Sequence, residues 1–463
     1  LNKAFNFVES LAQHLHKKLG ARLVIVGGAV RDVLMGKPVG DCDCEVYGEF
    51  TETELLSVLQ SLGSVNKVGK QFGVYKLLYQ GRQFDIALPR LETQIGKGHK
   101  GFEVVSDPKL SFEEAAKRRD FTVNAMGFDV LKGALLDPFD GQSDLKLKQL
   151  KHVGPSFAED PLRVYRAIQF LARFEFSMPP LTQALCQSMW PLLFDLSKER
   201  IWEEFKKLFL LAKRPSIGLQ FAKEVFALHR FPEWAALIGI PQEPQFHPEG
   251  DVWIHTCAVV DAMAALLPTV PEEHRLLLMW AAVCHDLGKP DTTVKEDGRI
   301  RHFKHDTVGV AKARQLLYRL MDQHDFIEQV CDLVRNHMHP HQLYKMADSG
   351  QKVSDAAIRR LATRVTIELL AVLVQADANG KQWPLKALKT DEAAAWVLDR
   401  ATALGVHKSR PEPFLKGQHG MALGLQPGPA LGQWLHKAYT LQLQGQFTTL
   451  EEALTWAQRQ FKK

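Results

Sequence analysis

Residues 24–46 read VIVGGAVRDVLMGKPVGDCDCEV: an apolar strand, a diglycine turn, a short helix and a second strand that carries two carboxylates. In an extended strand, residues i and i+2 face the same way. Asp41 and Asp43 therefore project side by side, and two like charges that close repel unless a cation lies between them. Gly27 and Gly28 leave room for a phosphate against the backbone, whose N–H groups line an anion pocket. A divalent-metal clamp beside a phosphate cradle is the equipment of nucleotidyl transfer.

The surrounding chain has 463 residues, 46% of them apolar, enough for about three domains with real cores. No apolar run approaches the ~20 residues of a membrane span. The start, LNKAFNFVESLAQHLHKKLG, places Phe5, Val8, Leu11, Leu15 and Leu19 at helical spacing before Gly20. It is amphipathic and unlike a signal peptide, and Leu1 in place of Met points to a trimmed start. Cys42, Cys44, Cys186, Cys257, Cys284 and Cys331 provide a C-x-C but no second pair at zinc-ligand spacing. They read as reduced thiols of a cytoplasmic protein. A net charge of +5 permits an RNA partner without specifying one.

Residues 1 to about 145 read as mixed α/β, with strands at RLVIV, CDCEVYG, GVYKLLYQ and RQFDIAL and helices over 3–19, 52–62 and 111–118. The segment 89–110, with two glycine–lysine pairs and little periodicity, reads as a mobile loop. Beyond LLDPFDGQSDL the pattern is almost entirely helical, with amphipathic stretches at 159–174, 180–195 and 197–212. A Pro-rich break at 229–251 precedes a second helical block to about 385, and a helical tail is interrupted at LGLQPGPALG.

In order, GGAVRD, DCD, RRDFTVNAM, DPFDG and EDPLRVYRAIQFLARF resemble the class II tRNA nucleotidyltransferases: the CCA-adding enzymes and their bacterial poly(A) polymerase relatives in the polymerase-β superfamily. The similarity is dense over about residues 22–210. It implies an α+β multidomain fold with a polymerase-β-like nucleotidyltransferase head (1–148) and an all-helical neck that selects the base (149–228). An HD-type helical domain (229–385) and a helical tail against tRNA (386–463) follow.

The resemblance implies Mg²⁺ held by Asp41 and Asp43, and Asp85 offers a third carboxylate on a neighbouring strand, where the family often has an acid. Gly28 and Arg31 resemble the family's triphosphate-contacting pair, although Arg31 could instead pair with Asp32 or Asp41. Arg119 is implied to contact the nucleotide, and Asp120 with Asn124 to sense the ribose 2′-hydroxyl, which both donates and accepts. Asp120 could equally cap a helix. Pro161 fits a first helical position and Asp160 an N-cap. Asp160 and Arg163 also stand three apart on one helix face, a carboxylate acceptor beside a guanidinium fork. The resemblance implies that these two read cytosine and adenine, so that the protein is its own template. Arg166 would contact the nucleotide, and Glu199 and Arg200 would brace the helix that carries Asp160.

The length of 89–110 argues against an enzyme adding only CC, since those lack most of this segment. Gln71 after Lys70 leans against the poly(A) branch, which tends to carry two basic residues there. Full CCA addition and A-only addition both remain open.

Further on, His255, His285-Asp286 and Asp377 have the order H…HD…D, and HDLGKP after an apolar helix resembles the HD-domain phosphohydrolases. Imidazole and carboxylate suit a divalent metal (Ni, Mn or Mg) that would activate water against a phosphoester. His305 and His337 are candidates for a second metal; His247, His302 and His339 read as surface or structural. The implied partners are a tRNA acceptor end, CTP and ATP, with no membrane. The rival readings are an A-adding enzyme or poly(A) polymerase, and an HD phosphohydrolase with a nucleotide-sensing head.

Overall fold

The computed structural model describes residues 1–39, 42–68, 73–94 and 102–461. Asp41, Lys70 and Gln71 lie outside the described residues. The chain divides into two compact units: Leu1–Leu208 with Ile217–Arg230, and Phe209–Ser216 with Phe231–Lys463.

Unit 1 is built on strands β1 (Arg22–Val26), β2 (Asp43–Tyr47), β3 (Ser64–Val68), β4 (Val74–Tyr79), β5 (Arg82–Ala87), β6 (Arg90–Gln94), β7 (Phe102–Ser106), β8 (Gly127–Asp129) and β9 (Ala134–Leu136). Seven of them form one sheet in the order β3-β4-β5-β2-β1-β8-β9. β2 and β5 run parallel, and the other neighbours are antiparallel. Two amphipathic helices, Asn2–Leu19 and Glu52–Leu62, cover one face. Phe5, Val8, Leu11, Leu55 and Leu59 pack there against Ile25, Cys44, Val46, Leu77, Phe84 and Ile86. Strand alternation then sends Asp43, Glu45, Lys76 and Asp85 to the other face. That alternation positions the site.

Within the segment 89–110, expected to be a loop, the described residues on either side of 95–101 form strands, and 95–101 lie outside the described residues. β6 and β7 pair antiparallel from Arg90 opposite Ser106 to Gln94 opposite Phe102. The predicted helix over 180–195 also divides, into an α-helix Pro180–Ser188 and a 3₁₀ stretch Trp190–Asp195. Pro191 lacks an N–H and cannot continue the α ladder.

Unit 2 is helical apart from one hairpin that the sequence reading passed over, β10 (Thr293–Glu296) with β11 (Arg299–His302). Its turn, Asp297-Gly298, has φ of 50° and 75°, both left-handed, as a two-residue hairpin loop requires. Also contrary to the sequence reading, the stretch Val252–Thr269 is long and apolar enough to cross a bilayer. It is 67% buried within the protein and carries His255, which makes it a core helix.

Candidate functional site

In unit 1 the diglycine turn opens the site. Gly27 has φ 71° and ψ −132°, and a Cβ there would lie 3.0 Å from an Arg119 guanidinium nitrogen. Glycine therefore permits both the turn and the arginine's approach. One turn into the helix Gly28–Leu34, the buried Arg31 donates to Asp32 at 2.9 and 2.8 Å and to the Asn124 side-chain carbonyl. The Asp32 pairing left open by the sequence is thus realised. Arg31 also lies 4.5 Å from the Phe174 ring centre.

Asn124 in turn donates to Asp120 at 3.0 Å, and Arg166 donates to Asp120 at 2.7 Å. Arg31, Asn124, Asp120 and Arg166 thus form one continuous chain of hydrogen bonds. Burial disfavours the Asp120 charge, but Arg166 and Asn124 outweigh it and hold the carboxyl below its usual range. Asp120 also accepts the Phe121 N–H at 2.8 Å, one residue ahead of the short turn Thr122–Asn124, so it is not that turn's N-cap.

Asp43, exposed at the start of β2, is the Cα partner of Asp85 in the parallel strand β5. Their side chains share a face, as metal sharing requires. Asp85 already binds a cation, since the Lys76 ammonium lies 3.2 and 3.4 Å from its two oxygens. An oxygen-rich face that accepts a cation suits Mg²⁺.

The sequence reading missed Glu45. Two residues beyond Asp43 on the same face, it is buried and accepts from Arg119 at 2.9 Å, Arg118 at 3.1 Å and the Tyr47 hydroxyl at 2.5 Å. Burial opposes its ionisation, yet Arg119 and Arg118 overcome this and hold it below the ordinary value. Its i+2 spacing from Asp43 was the available signal.

The side chains of Asp160 and Arg163 do not pair with each other. Asp160 accepts from Arg200 at 2.8 Å and from the Leu162 N–H at 3.1 Å. Arg163 is 8% exposed and donates to the carbonyls of Ser156 and Arg118. Its fork is engaged by main chain, not held open beside the carboxylate as the spacing suggested.

In unit 2 all six predicted ligands converge. His255 lies in the helix Val252–Leu266, His285 and Asp286 directly follow Glu272–Cys284, and His305 opens His305–Tyr318. His337 ends His324–Asn336, and Asp377 lies in Ile367–Gly380. Two groups result, His255/His285/Asp286 and Asp286/His305/His337, each with ligand atoms within 4.8 Å of one another. Asp377 lies 3.0 Å from His255 Nε2. Gly288 lets the segments meet, because a Cβ there would lie 2.0 Å from the His305 carbonyl oxygen.

The hydrogen bonds behind these rings decide their chemistry. Nδ1 of His285, His305 and His337 each faces a carbonyl, of Ala282, His302 and Val334, at 2.7, 2.9 and 2.6 Å. A carbonyl only accepts, so Nδ1 carries the proton and Nε2 of the neutral ring is bare. Yet Nε2 of His305 and His337 face each other at 3.2 Å, and His285 Nε2 lies 3.1 Å from Asp286 without a hydrogen bond. Converging lone pairs and carboxylates fit a divalent metal.

Burial, with His305 and His285 nearby, pushes His337 down to about 3. Burial works against the Asp286 charge, but the Lys289 ammonium at 2.7 Å opposes it, and the carboxyl stays well below the usual range.

Glu249 and Lys289 were also missed. Glu249 accepts from His255 Nδ1 at 2.6 Å and His247 Nδ1 at 2.8 Å, so His247 belongs to the site's surroundings. Glu249 lies in the Pro-rich break, where nothing in the pattern marked it. Lys289, buried, reaches Asp286 at 2.7 Å and Gln242 at 2.6 Å, and its place three residues after Asp286 was legible in the motif. A cavity of about 320 Å³ opens onto Asp286, His305, His337 and Asp377, with Arg301 and Lys381 among its lining cations.

Sequence families cover both sites. The "Poly A polymerase head domain" matches residues 23–151, the "HD domain" residues 252–378, and the "Probable RNA and SrmB- binding site of polymerase A" residues 175–238. The multifunctional CCA protein of Xanthomonas campestris pv. campestris (strain B100) is 37% identical over 381 residues, 81% of this chain and 87% of that protein. The chain belongs to the multifunctional CCA protein family.

The fold of this family member is shared by solved CCA-adding enzymes. That of Bacillus stearothermophilus, in complex with CTP, aligns over 99% of this chain and 97% of its own at a TM-score of 0.66 and 20% identity. That of Thermotoga maritima, complexed with tRNA, aligns over 99% and 96% at a TM-score of 0.60 and 20% identity.

Proposed function

We propose that unit 1 adds C and A to the 3′ end of tRNA from CTP and ATP without a nucleic-acid template. The observation that carries this reading is the row of Asp43 and Asp85 beside a glycine turn flanked by Arg31 and Arg119. In the reaction the terminal 3′-oxygen of the RNA bonds to the α-phosphorus, and the bond from that phosphorus to the bridging oxygen breaks. Pyrophosphate leaves, and the hydroxyl proton passes to solvent.

Asp43 and Asp85, with Asp41, would hold Mg²⁺, which when bound neutralises the triphosphate and acidifies the attacking hydroxyl. Arg31 and Arg119 would clamp the phosphates, Gly28 would give them room, and Asp120 with Asn124 would orient the ribose. Asp160, Arg163 and Arg166 would select the base, with Arg163 exchanging its two carbonyls for the base edge. The test uses tRNA transcripts ending before CCA, after C and after CC, each with CTP, ATP or both. Extension of all three supports full CCA addition. Extension of the last alone assigns A addition, and long homopolymer assigns a poly(A) polymerase.

The converging Nε2 atoms favour a second activity, metal-dependent phosphoester hydrolysis in unit 2. His255, His285, Asp286 and Asp377 would hold one ion, and Asp286, His305 and His337 another. Arg301 and Lys381 would draw the anionic substrate into the cavity. Release of the chromophore from a chromogenic phosphodiester, leaving the phosphomonoester, and lost in His285→Ala and Asp286→Ala, tests this.

A further inference from the structure

We propose that Lys76 is a positioning residue of the nucleotidyl-transfer centre: a built-in cation that holds Asp85 and yields it when a divalent metal loads. This role rests on the reading that Asp43 and Asp85 bind that metal.

Strands β4, β5 and β2 are consecutive in the sheet. Lys76 is the Cα partner of Asp85 in the antiparallel ladder, and Asp85 is that of Asp43 in the parallel one. The three side chains therefore form one row. All point away from the helix-covered face, because Tyr75, Leu77, Phe84, Ile86 and Cys44 fill the core beneath. The ammonium straddles the carboxylate at 3.2 and 3.4 Å, with the two side chains 38% and 31% exposed.

A pair this exposed adds little to stability. The positions on either side of Lys76 on the same face of β4 are Val74 and Leu78, so the positive charge is placed only where it meets Asp85. Two consequences follow from electrostatics. The ammonium competes with a divalent ion for the same oxygens, and its charge repels that ion across the row. Lys76 thereby sets the metal concentration at which the centre loads and keeps Asp85 aimed along the row until then.

The test compares Lys76→Met and Lys76→Arg in the full chain, with melting curves to establish that each is folded. The expected result for Lys76→Met is at least a threefold fall in the half-saturating Mg²⁺ for CTP incorporation. An equal fall is expected in the Mn²⁺ concentration that fills, in paramagnetic resonance, the sites lost in Asp85→Asn. Lys76→Arg keeps the charge and stays near the parent. Half-saturation in Lys76→Met that is unchanged or higher overturns the role of Lys76. Asp43→Ala and Asp85→Asn separate the two ideas: full incorporation in both overturns the metal reading itself, whereas its loss alongside an unresponsive Lys76→Met overturns only the lysine's part.

Discussion

Charges around the candidate nucleotidyl-transfer site of unit 1 are paired with one another: Asp85 with Lys76, Asp120 with Arg166, Glu45 with Arg118 and Arg119. In unit 2 the rings of His305 and His337 instead turn bare nitrogens toward each other, and their protons are held at the back by main-chain carbonyls. The first arrangement is stable without a ligand and must exchange ion pairs to take one. The second is unfavourable until a cation arrives. On the proposed reading, one site would exchange its ion pairs for a transient nucleotide and its metal, and the other would take resident ions.

The largest test of this contrast is a crossed pair of variants. Asp43→Ala should lower CTP and ATP incorporation by at least about a thousandfold, the scale for groups acting directly on the transition state, and leave phosphoester release in unit 2 intact. Asp286→Ala should do the reverse. Loss of both activities in either variant would break the division of labour.

Next in size is Glu249→Ala, measured by titrating Ni²⁺ or Mn²⁺ into chelator-treated protein. Glu249 orients His255 from behind, so metal affinity should drop roughly 10–100-fold, the usual effect of removing such a support. An unchanged isotherm would reduce Glu249 to a structural acid, its side chain buried, with no part in metal binding.

Smallest is Glu45→Gln, which keeps the shape but removes the charge shared by Arg118 and Arg119. We expect about 1–2 kcal/mol of destabilisation in urea and a rise in KM for nucleotide that exceeds any fall in kcat. The pH dependence follows from the lowered folded pKa of Glu45. Its contribution is complete above the unfolded carboxylate range and is lost as pH falls through the folded value. The variant should therefore show a shallower loss of stability on the acid side, and an identical acid limb would contradict the buried ion pair.

Much of this was legible because local spacing carries it. Asp85 was named on a strand neighbouring that of Asp43, which the β2–β5 pairing shows, and the adjacent His285 and Asp286 were named as candidate ligands that the fold brings beside His255. His305 and His337 could be named from their neighbours alone. What escaped was fixed by distant parts of the chain. Arg163 turns to the carbonyl of Arg118, 45 positions away, and no spacing within EDPLRVYR foretells that. Glu249 lies in a stretch whose prolines read as a linker. Lys76 has meaning only through a ladder register. The β6–β7 ribbon was hidden because the glycines and lysines between 94 and 102 break the period of two in the sequence, and the β10–β11 hairpin because polar residues flank its Asp-Gly.

Gly288 sits where the turn after His285-Asp286 touches the start of the helix His305–Tyr318, with no space for even one methyl group. Any drift to a larger residue would prise His305 from Asp286 while sparing every acid and imidazole in the lineage. A descendant could thus keep all these acids and imidazoles and still lose their convergence. In related chains, the residue at this position is a better gauge of a working second ion group than the histidines themselves.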